Sequence, residues 1–424
     1  MREFRHSRNF VIARSIATKQ SRSKFWEFRL KFRHCERSNL NDKTQTKGKK
    51  VILAIESSCD DSSVAIMKAS DFSLVHYEKI SQEKEHAKYG GVVPELAARL
   101  HTAALPAVIL RAKEHFSALK AIAVTNEPGL SVSLLPGIVA AKALAAALNL
   151  PLISVNHLVG HIYSLFLSEQ IKLPLGVLLV SGGHTMILDI SESGVISVLG
   201  ATSDDSFGES FDKSAKMLGL GYPGGPQIQN LALKGDDRAY DFSLPLKGTK
   251  RLEYSFSGLK NQVRLACLEL ENSRIPYSVI PRLDRGISSE NSKIPNENSR
   301  IPSENSKIPS ENSRIPSEQK ANIAASFERV ACIHIIDRLK LAFSSQKWAR
   351  FGVVGGASAN LRLRGMLENL CASYDCELLF APLEYCSDNA AMIARAAVAK
   401  YHNKDFCESL EMHPRSSLEN LKII

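Results

Sequence analysis

The chain has 424 residues, 44% of them hydrophobic and 23% charged, a balance that excludes a disordered or fibrous protein and allows two domains with separate cores. Its formal charge of +10 suggests a nucleic-acid binder, but residues 1–50 carry 15 Lys/Arg against 4 Asp/Glu and leave the other 374 near −1. The basic character therefore belongs to a tail and says little about what the body binds.

In chain order, residues 1–50 read as a basic, disordered extension, dispensable or misassigned, in preference to a transit peptide. Phe25, Trp26, Phe28 and Phe32 lie among charges without a clean amphipathic stripe. From residue 51, "KVILAIES" and "SSVAIMKA" are short β-branched runs around "SCDD", as in a hairpin. "GGVVPELAARLHTAALPAVILRAKEH" has helical apolar spacing, "LKAIAVTN" is a strand, "LPGIVAAKALAAALN" an Ala-rich helix, and "LPLISVNH" a strand running into a helix. No apolar run is expected to span a membrane: the richest, "GIVAAKALAAALNLPLISV", is interrupted by Lys142, Asn149 and Pro151.

The second half repeats the scheme. "LGVLLVSGGHTMILDI" is strand, turn, strand; helices follow; "RFGVVGGASANLRLRGMLENL" is strand, glycine turn, helix. This predicts a mixed α/β protein with two duplicated lobes. Within the second half stands a foreign-looking insert, 272–318, whose core is the tandem heptads "ENSKIPN ENSRIPS ENSKIPS ENSRIPS" at 290–317. A proline in every repeat and one isoleucine to bury predict disorder rather than coiled coil. Eight cysteines (35, 59, 267, 332, 371, 376, 386, 407) without a CxxC pair point to reduced thiols in a cytosol-like compartment. A bacterial cytoplasm is preferred to a mitochondrial matrix.

Several short motifs carry candidate chemistry. Ser181, Gly182 and Gly183 end a strand where backbone N–H groups can approach an anion, although a hairpin turn uses glycines too. "VVGGASAN" repeats the idea and adds Asn360 at a helix start. "ESSCDDSS" groups Glu56, Asp60 and Asp61, either ordinary turn residues or carboxylates that orient a substrate or metal; Glu56, at a strand end, favours function. Of Asp204, Asp205, Glu209 and Asp212, some are expected to be helix caps. Asp212, inside the helix pattern, does little for capping and is the one of interest. In "NHLVGH", His157 and His161 at i and i+4 share a helix face and could hold a metal, with Asp388 of "CSDNAAMIA" as a third ligand. The glutamate that a zinc protease of the HExxH type places beside its first histidine is missing, which disfavours that chemistry.

Taken together, "ILAIESSCDDSSVAI", "YGGVVPELAAR", "NHLVGH", "LLVSGGHT", "DDSFGESFDKSAKMLGLGYPGGP", "YSFSGLKNQV", "GGASANLRLR" and "CSDNAAMIA" resemble the TsaD family of tRNA threonylcarbamoyladenosine synthases, whose relatives sit in the KEOPS complex. The matches are collinear over 51–271 and 319–400. The resemblance implies an actin-like, sugar-kinase-like ATPase fold. Its parts would be a first lobe at 51–155, a second lobe at 156–385 carrying the insert, and at 386–424 a helix returning to the first lobe plus a tail. It implies one divalent metal per subunit, iron ahead of zinc, on His157, His161 and Asp388. It also implies threonylcarbamoyl-AMP along Leu179, Val180, Ser181, Gly182, Gly183, Asp212, Gly225 and Asn360. The implied reaction is transfer of the threonylcarbamoyl group to N6 of the adenosine immediately after the tRNA anticodon, with TsaB-like and TsaE-like partner proteins and no membrane. Asp60 and Asp61 would orient substrate or handle a proton. Alternatives are a metalloprotease or a non-catalytic ATPase-fold subunit of a tRNA-modifying complex. Departures from the family pattern are Glu127 and Val132 at two usual glycines, Pro136 before Gly137, and Val159 in place of an acid between the histidines. A lost glycine can mean a lost left-handed turn.

Overall fold

The computed structural model describes residues 50–272 and 315–423; residues 1–49 of the predicted extension and 273–314 of the predicted insert lie outside the described residues. The first half runs β1 (Val51–Glu56), β2 (Asp61–Lys68), β3 (Leu74–Ser81), α1 (Glu83–Ala87), α2 (Pro94–Arg111), β4 (Leu119–Glu127), α3 (Ser131–Leu148) and β5 (Leu152–Asn156). The second opens with α4 (His157–Tyr163), β6 (Leu175–Val180), β7 (Thr185–Ile190), β8 (Ile196–Thr202), α5 (Phe207–Met217), α6 (Gly224–Ala232) and β9 (Glu253–Tyr254). It continues with α7 (Ser257–Asn272), α8 (Ser317–Ser345), β10 (Arg350–Val354), α9 (Leu361–Ser373), β11 (Glu377–Phe380) and α10 (Ala390–His402).

The two sheets have one plan. The first has the order β3-β2-β1-β4-β5 and the second β11-β10-β6-β7-β8-β9. In each, three strands form an antiparallel meander (β1 to β3, β6 to β8), and two more (β4 and β5, β10 and β11) add parallel on the far side of the first strand. Read backwards, the second order is the first with the two-residue β9 added beside β8. This is the duplicated actin-like arrangement that the sequence predicts.

Period-2 alternation decides which core each strand feeds. On β1, Val51, Leu53 and Ile55 face a core built with Leu105, Val108 and Ile109 of α2 and Leu134 and Ile138 of α3. Ile52 and Ala54 face the opposite core, with Leu158 and Ile162 of α4 and Ala390 to Ala394 of α10. That second core also takes Val177, Leu179, Leu188 and Val354 from the second sheet, so one apolar cluster joins the lobes. Each fully buried Leu or Ile there contributes about 1.5–3 kcal/mol. Both elements that frame the candidate ligands, α4 and α10, are cast into this junction.

Three expectations change. The apolar stretch around α3 does reach membrane-spanning length: the helix starts at Ser131 and runs through Pro136, giving 18 residues of mean hydropathy 1.7. Its inner face, Leu134, Ile138, Ala141, Leu144 and Ala145, is spent on the first sheet. The insert is shorter than predicted at its C-terminal edge, because Ile315 of the last heptad is buried and α8 begins at Ser317 with Pro316 before it. Finally, neither Glu127 nor Val132 has a positive φ, so losing glycine there costs no left-handed turn. The glycines that this turn keeps are the ones packing demands: a Cβ on Gly129 would lie 2.7 Å from the Ser58 carbonyl oxygen, and one on Gly137 would collide with Ser57 Oγ.

Candidate metal centre

β5 hands over directly to α4, whose first residue is His157. The Asn156 side chain caps the helix by accepting the Leu158 and Val159 N–H groups at 2.9 and 3.2 Å. Helical periodicity then brings His161 under His157, with ring centroids 4.7 Å apart. Asp388 arrives from the other end of the chain, on the segment between a 3-10 turn (Leu383–Tyr385) and α10. Its Oδ1 lies 3.3 Å from Nε2 of both histidines, and one donor atom from each of the three residues lies within 4.8 Å of the others.

The donor set fits a divalent metal on two observations. His161 is fully buried, with Nδ1 unpartnered and Nε2 facing the Asp388 carboxylate at 3.3 Å, an arrangement a metal shared between Nε2 and that carboxylate would satisfy. His157 is oriented from behind: Nδ1 lies 3.2 Å from Glu56 Oε2 and 3.1 Å from Ser58 Oγ, leaving Nε2 for the Asp388 side. Glu56 is itself fixed, by the Ser58 N–H at 2.6 Å and by the Thr125 hydroxyl. A carboxylate on the far nitrogen of a ligating histidine fixes its tautomer and raises its basicity. Burial alone would push His157 down, but Asp388 and Glu56 outweigh it and hold the imidazole well above its ordinary value. Asp388 moves the opposite way: burial raises it, and the histidines hold it well below the carboxylate range.

Around this centre the other predicted residues separate. Leu179 and Val180 are buried strand residues of β6. Gly182 and Gly183, in the β6–β7 turn, have no positive φ, and a Cβ on either would meet nothing within 4 Å. The fold does not require glycine there, which favours ligand approach. Gly225 in the first turn of α6 is equally open. By contrast Gly355 has φ +93° and lies against the Val180 carbonyl, so it serves the backbone. Asn360 caps α9 by accepting the Leu363 N–H at 2.8 Å and donates to buried Glu328 at 2.8 Å.

The acids after β8 are not the caps expected of their own helix. Ser206 caps α5. Asp204 accepts the Phe256 N–H ahead of α7 at 2.8 Å, and Asp205 binds Lys213 and Lys260, each at 2.6 Å. Asp212 does cap, but across to another helix: it accepts the Gly224 N–H of α6 at 2.7 Å. Burial raises its carboxyl to about 6. Asp61, with Oδ2 on Lys79 at 2.5 Å and Oδ1 unpartnered, is also raised to about 6 by burial, against the pull of Lys79. Asp60 is partly buried beside it, its carbonyl accepting the Gln82 N–H.

Sequence reasoning passed over two residues. His184, within the quoted "SGGHT", is lowered to about 4 by burial and then by His157 and His161, which places it electrostatically at the centre. Lys79 carries no motif. Val159 packs against the junction core, where an apolar side chain fits without further partners.

A duplicated actin-like pair of lobes with a His-His-Asp cluster at their junction defines a two-lobed α/β protein with a candidate metal centre. A family model described as tRNA N6-adenosine threonylcarbamoyltransferase matches residues 73–395. Among curated relatives, the tRNA N6-adenosine threonylcarbamoyltransferase of Campylobacter fetus subsp. fetus is 53% identical over 375 residues, 88% of this chain and 99% of its own length. That of Campylobacter curvus is 54% identical over 368 residues, 86% of this chain and 99% of its own. The chain belongs to this family, TsaD. Among solved structures, component A of the (R)-2-hydroxyglutaryl-CoA dehydratase of Acidaminococcus fermentans is similar with a TM-score of 0.44 and 13% identity, over 84% of this chain and 99% of that one. YeaZ from Pseudomonas aeruginosa is similar with a TM-score of 0.25 and 20% identity, over 35% of this chain and 66% of that one.

Proposed function

We propose that this chain transfers the threonylcarbamoyl group from threonylcarbamoyl-AMP to N6 of the adenosine 3′-adjacent to the tRNA anticodon, releasing AMP. The observation that carries the reading is the cluster of buried His157 and His161 with half-buried Asp388, in a fold that also leaves the Gly182–Gly183 turn open. The donor is a mixed anhydride, so no covalent nucleophile is needed: the N6 amine attacks the carbamoyl carbon, the bond to the phosphate oxygen breaks, and one amine proton is lost. His157, His161 and Asp388 would hold the metal, proposed as iron ahead of zinc because two histidines and one carboxylate are the donor set of non-haem iron(II) sites. When bound, it supplies positive charge that holds the threonylcarbamoyl group and polarises its carbonyl.

The chain's own residues do the rest. The Gly182–Gly183 turn and Gly225 leave room for the AMP moiety to lie against backbone. The unpartnered Asp61 Oδ1 is available to orient the amine or take its proton, with Asp60 beside it. Glu56 sits behind His157, on Nδ1, rather than between the histidines where a water-activating base would stand. That placement favours a transferase over a protease. The free thiols of all described cysteines suit a reducing bacterial cytoplasm.

A TsaB-like partner is proposed to dock on the outer face of α3. There Val132, Leu135 and Val139, at i, i+3 and i+7, are 39%, 52% and 51% exposed on one apolar stripe. A TsaE-like protein is proposed as a second partner. The test is transfer of labelled threonine from threonylcarbamoyl-AMP to tRNA by the full chain with these partners. Label in the tRNA is expected, and its absence with metal and partners supplied would remove the proposal.

A further inference from the structure

Two of the three candidate ligands ride on a helix, but Asp388 lies on a segment with no strand or helix of its own. What holds that segment comes largely from the first lobe. β3 is the edge strand of the first sheet, and its alternate residues 77 and 79 share a face. Tyr77 meets Tyr385 edge-on, with ring centroids 5.7 Å apart. Lys79 Nζ lies 3.1 Å from Ser387 Oγ, 3.1 Å from the Asp388 carbonyl oxygen and 2.5 Å from Asp61 Oδ2. Asp61 reaches it along the diagonal of the β2–β3 ladder, where Asp61 stands opposite Ser81 and Ser63 opposite Lys79. An ammonium has three protons to donate; here three acceptors surround it. From within the segment, Asn389 Nδ2 adds bonds to the Tyr385 and Ser387 carbonyls at 3.0 and 2.8 Å.

We propose that Lys79 is a positioning residue. It fixes the Asp388 backbone, and so the pose of its carboxylate against His157 and His161, and ties the ligand segment to Asp61. Lys79 lies outside the stretches that carry the family resemblance, and the inference rests on the reading of His157, His161 and Asp388 as a metal site. Removing the cation leaves Tyr77, Asn389 and the Cys386 contacts to hold the segment, none of them on the Asp388 carbonyl, and widens the range of carboxylate positions. The metal then binds more weakly, although every ligand is still present.

The test is cobalt(II) binding by the full chain, followed by visible absorption and accompanied by thermal melting. Lys79→Met is expected to weaken cobalt(II) binding about 10-fold or more, in the range seen when residues supporting a ligand are lost, and to alter the absorption band. Lys79→Arg, which keeps charge and several donors, is expected to recover most of the affinity. Should methionine prevent folding, Lys79→Gln is expected to show the same weakening. An unchanged affinity and spectrum in a folded Lys79→Met or Lys79→Gln protein would overturn the proposal, even with a lower melting temperature, because Lys79 would then be only a staple between lobes. His161→Ala separates the two readings. If wild type takes up no stoichiometric cobalt(II), or His161→Ala binds as well as wild type, the metal site itself is wrong. If His161→Ala loses binding while Lys79→Met keeps it, only the role of Lys79 falls.

Discussion

Glu56 Oε2 stands 3.2 Å from His157 Nδ1, so the last residue of β1 orients the first residue of α4 across the lobe junction. Glu56→Gln keeps the size of the side chain but loses the charge that raises His157 basicity. Metal affinity is expected to fall about 10–100-fold, with cobalt(II) or zinc(II) titration as the measurement. Affinity within twofold of wild type would show that Glu56 serves only the strand end.

His161 is buried, with Nδ1 unpartnered and Nε2 facing the Asp388 carboxylate, so its removal is expected to cost function more than stability. His161→Ala should lower threonylcarbamoyl transfer at least about 10²-fold, the order lost with one stabilising contact to the transition state. The labelled-threonine assay checks it, and transfer at the wild-type rate would exclude this histidine from the reaction.

Asp212 gives a pH signature. Its carboxyl is raised to about 6 by burial, against about 3.9 for an exposed aspartate. The folded state therefore holds the proton more tightly than the unfolded one, and this group subtracts stability as pH rises from about 4 to about 6, with the full loss above that. Asp212→Asn can still accept the Gly224 N–H. It should melt several degrees higher than wild type at about pH 8, reflecting up to about 3 kcal/mol, and equally at about pH 4. A wild type that melts higher at about pH 8 would contradict the assignment.

Replacing 273–314 by a short Gly/Ser linker is expected to leave melting and transfer close to wild type, because α7 ends at Asn272. Extending the deletion through 318 removes buried Ile315 and the first two residues of α8, Ser317 and Glu318. It should cost about 1.5–3 kcal/mol for the isoleucine alone. Equal melting of the two deletions would show that Ile315 is not part of the core.

Leu135→Asp places a charge in the middle of the exposed stripe on α3. Co-purification with a TsaB-like partner should be lost while the melting temperature holds, since Leu134 and Ile138 on the inner face are untouched. Retained binding would move the partner elsewhere.

The architecture was readable where periodicity was strong. The β-branched runs of β1, β6 and β10 and the shift from period 2 to period 3.6 marked the repeated units, and His157 and His161 were legible because four residues is one helical turn. Contacts that depend on tertiary approach were not. Asp212 looked like an interior acid because its partner, Gly224, belongs to the next helix. The bond from Asn360 to buried Glu328 cannot be seen from the local motif. Lys79 is one lysine among many until β3 is laid against residues 385–388. The reach of α3 was underestimated because its first turn, Ser131 to Leu134, lies before the Ala-rich run that marked the helix.

The second histidine of the centre, His161, and its aspartate, Asp388, are 227 positions apart in the chain. At about 5–20 residues per second, a ribosome needs roughly 10–45 s to reach the acid after making the second histidine. During that interval the nascent chain presents two imidazoles without their carboxylate, and a chain cut short before residue 388 never acquires it. Choosing the ion thus belongs to the finished polypeptide, once α10 has docked, and not to the growing one.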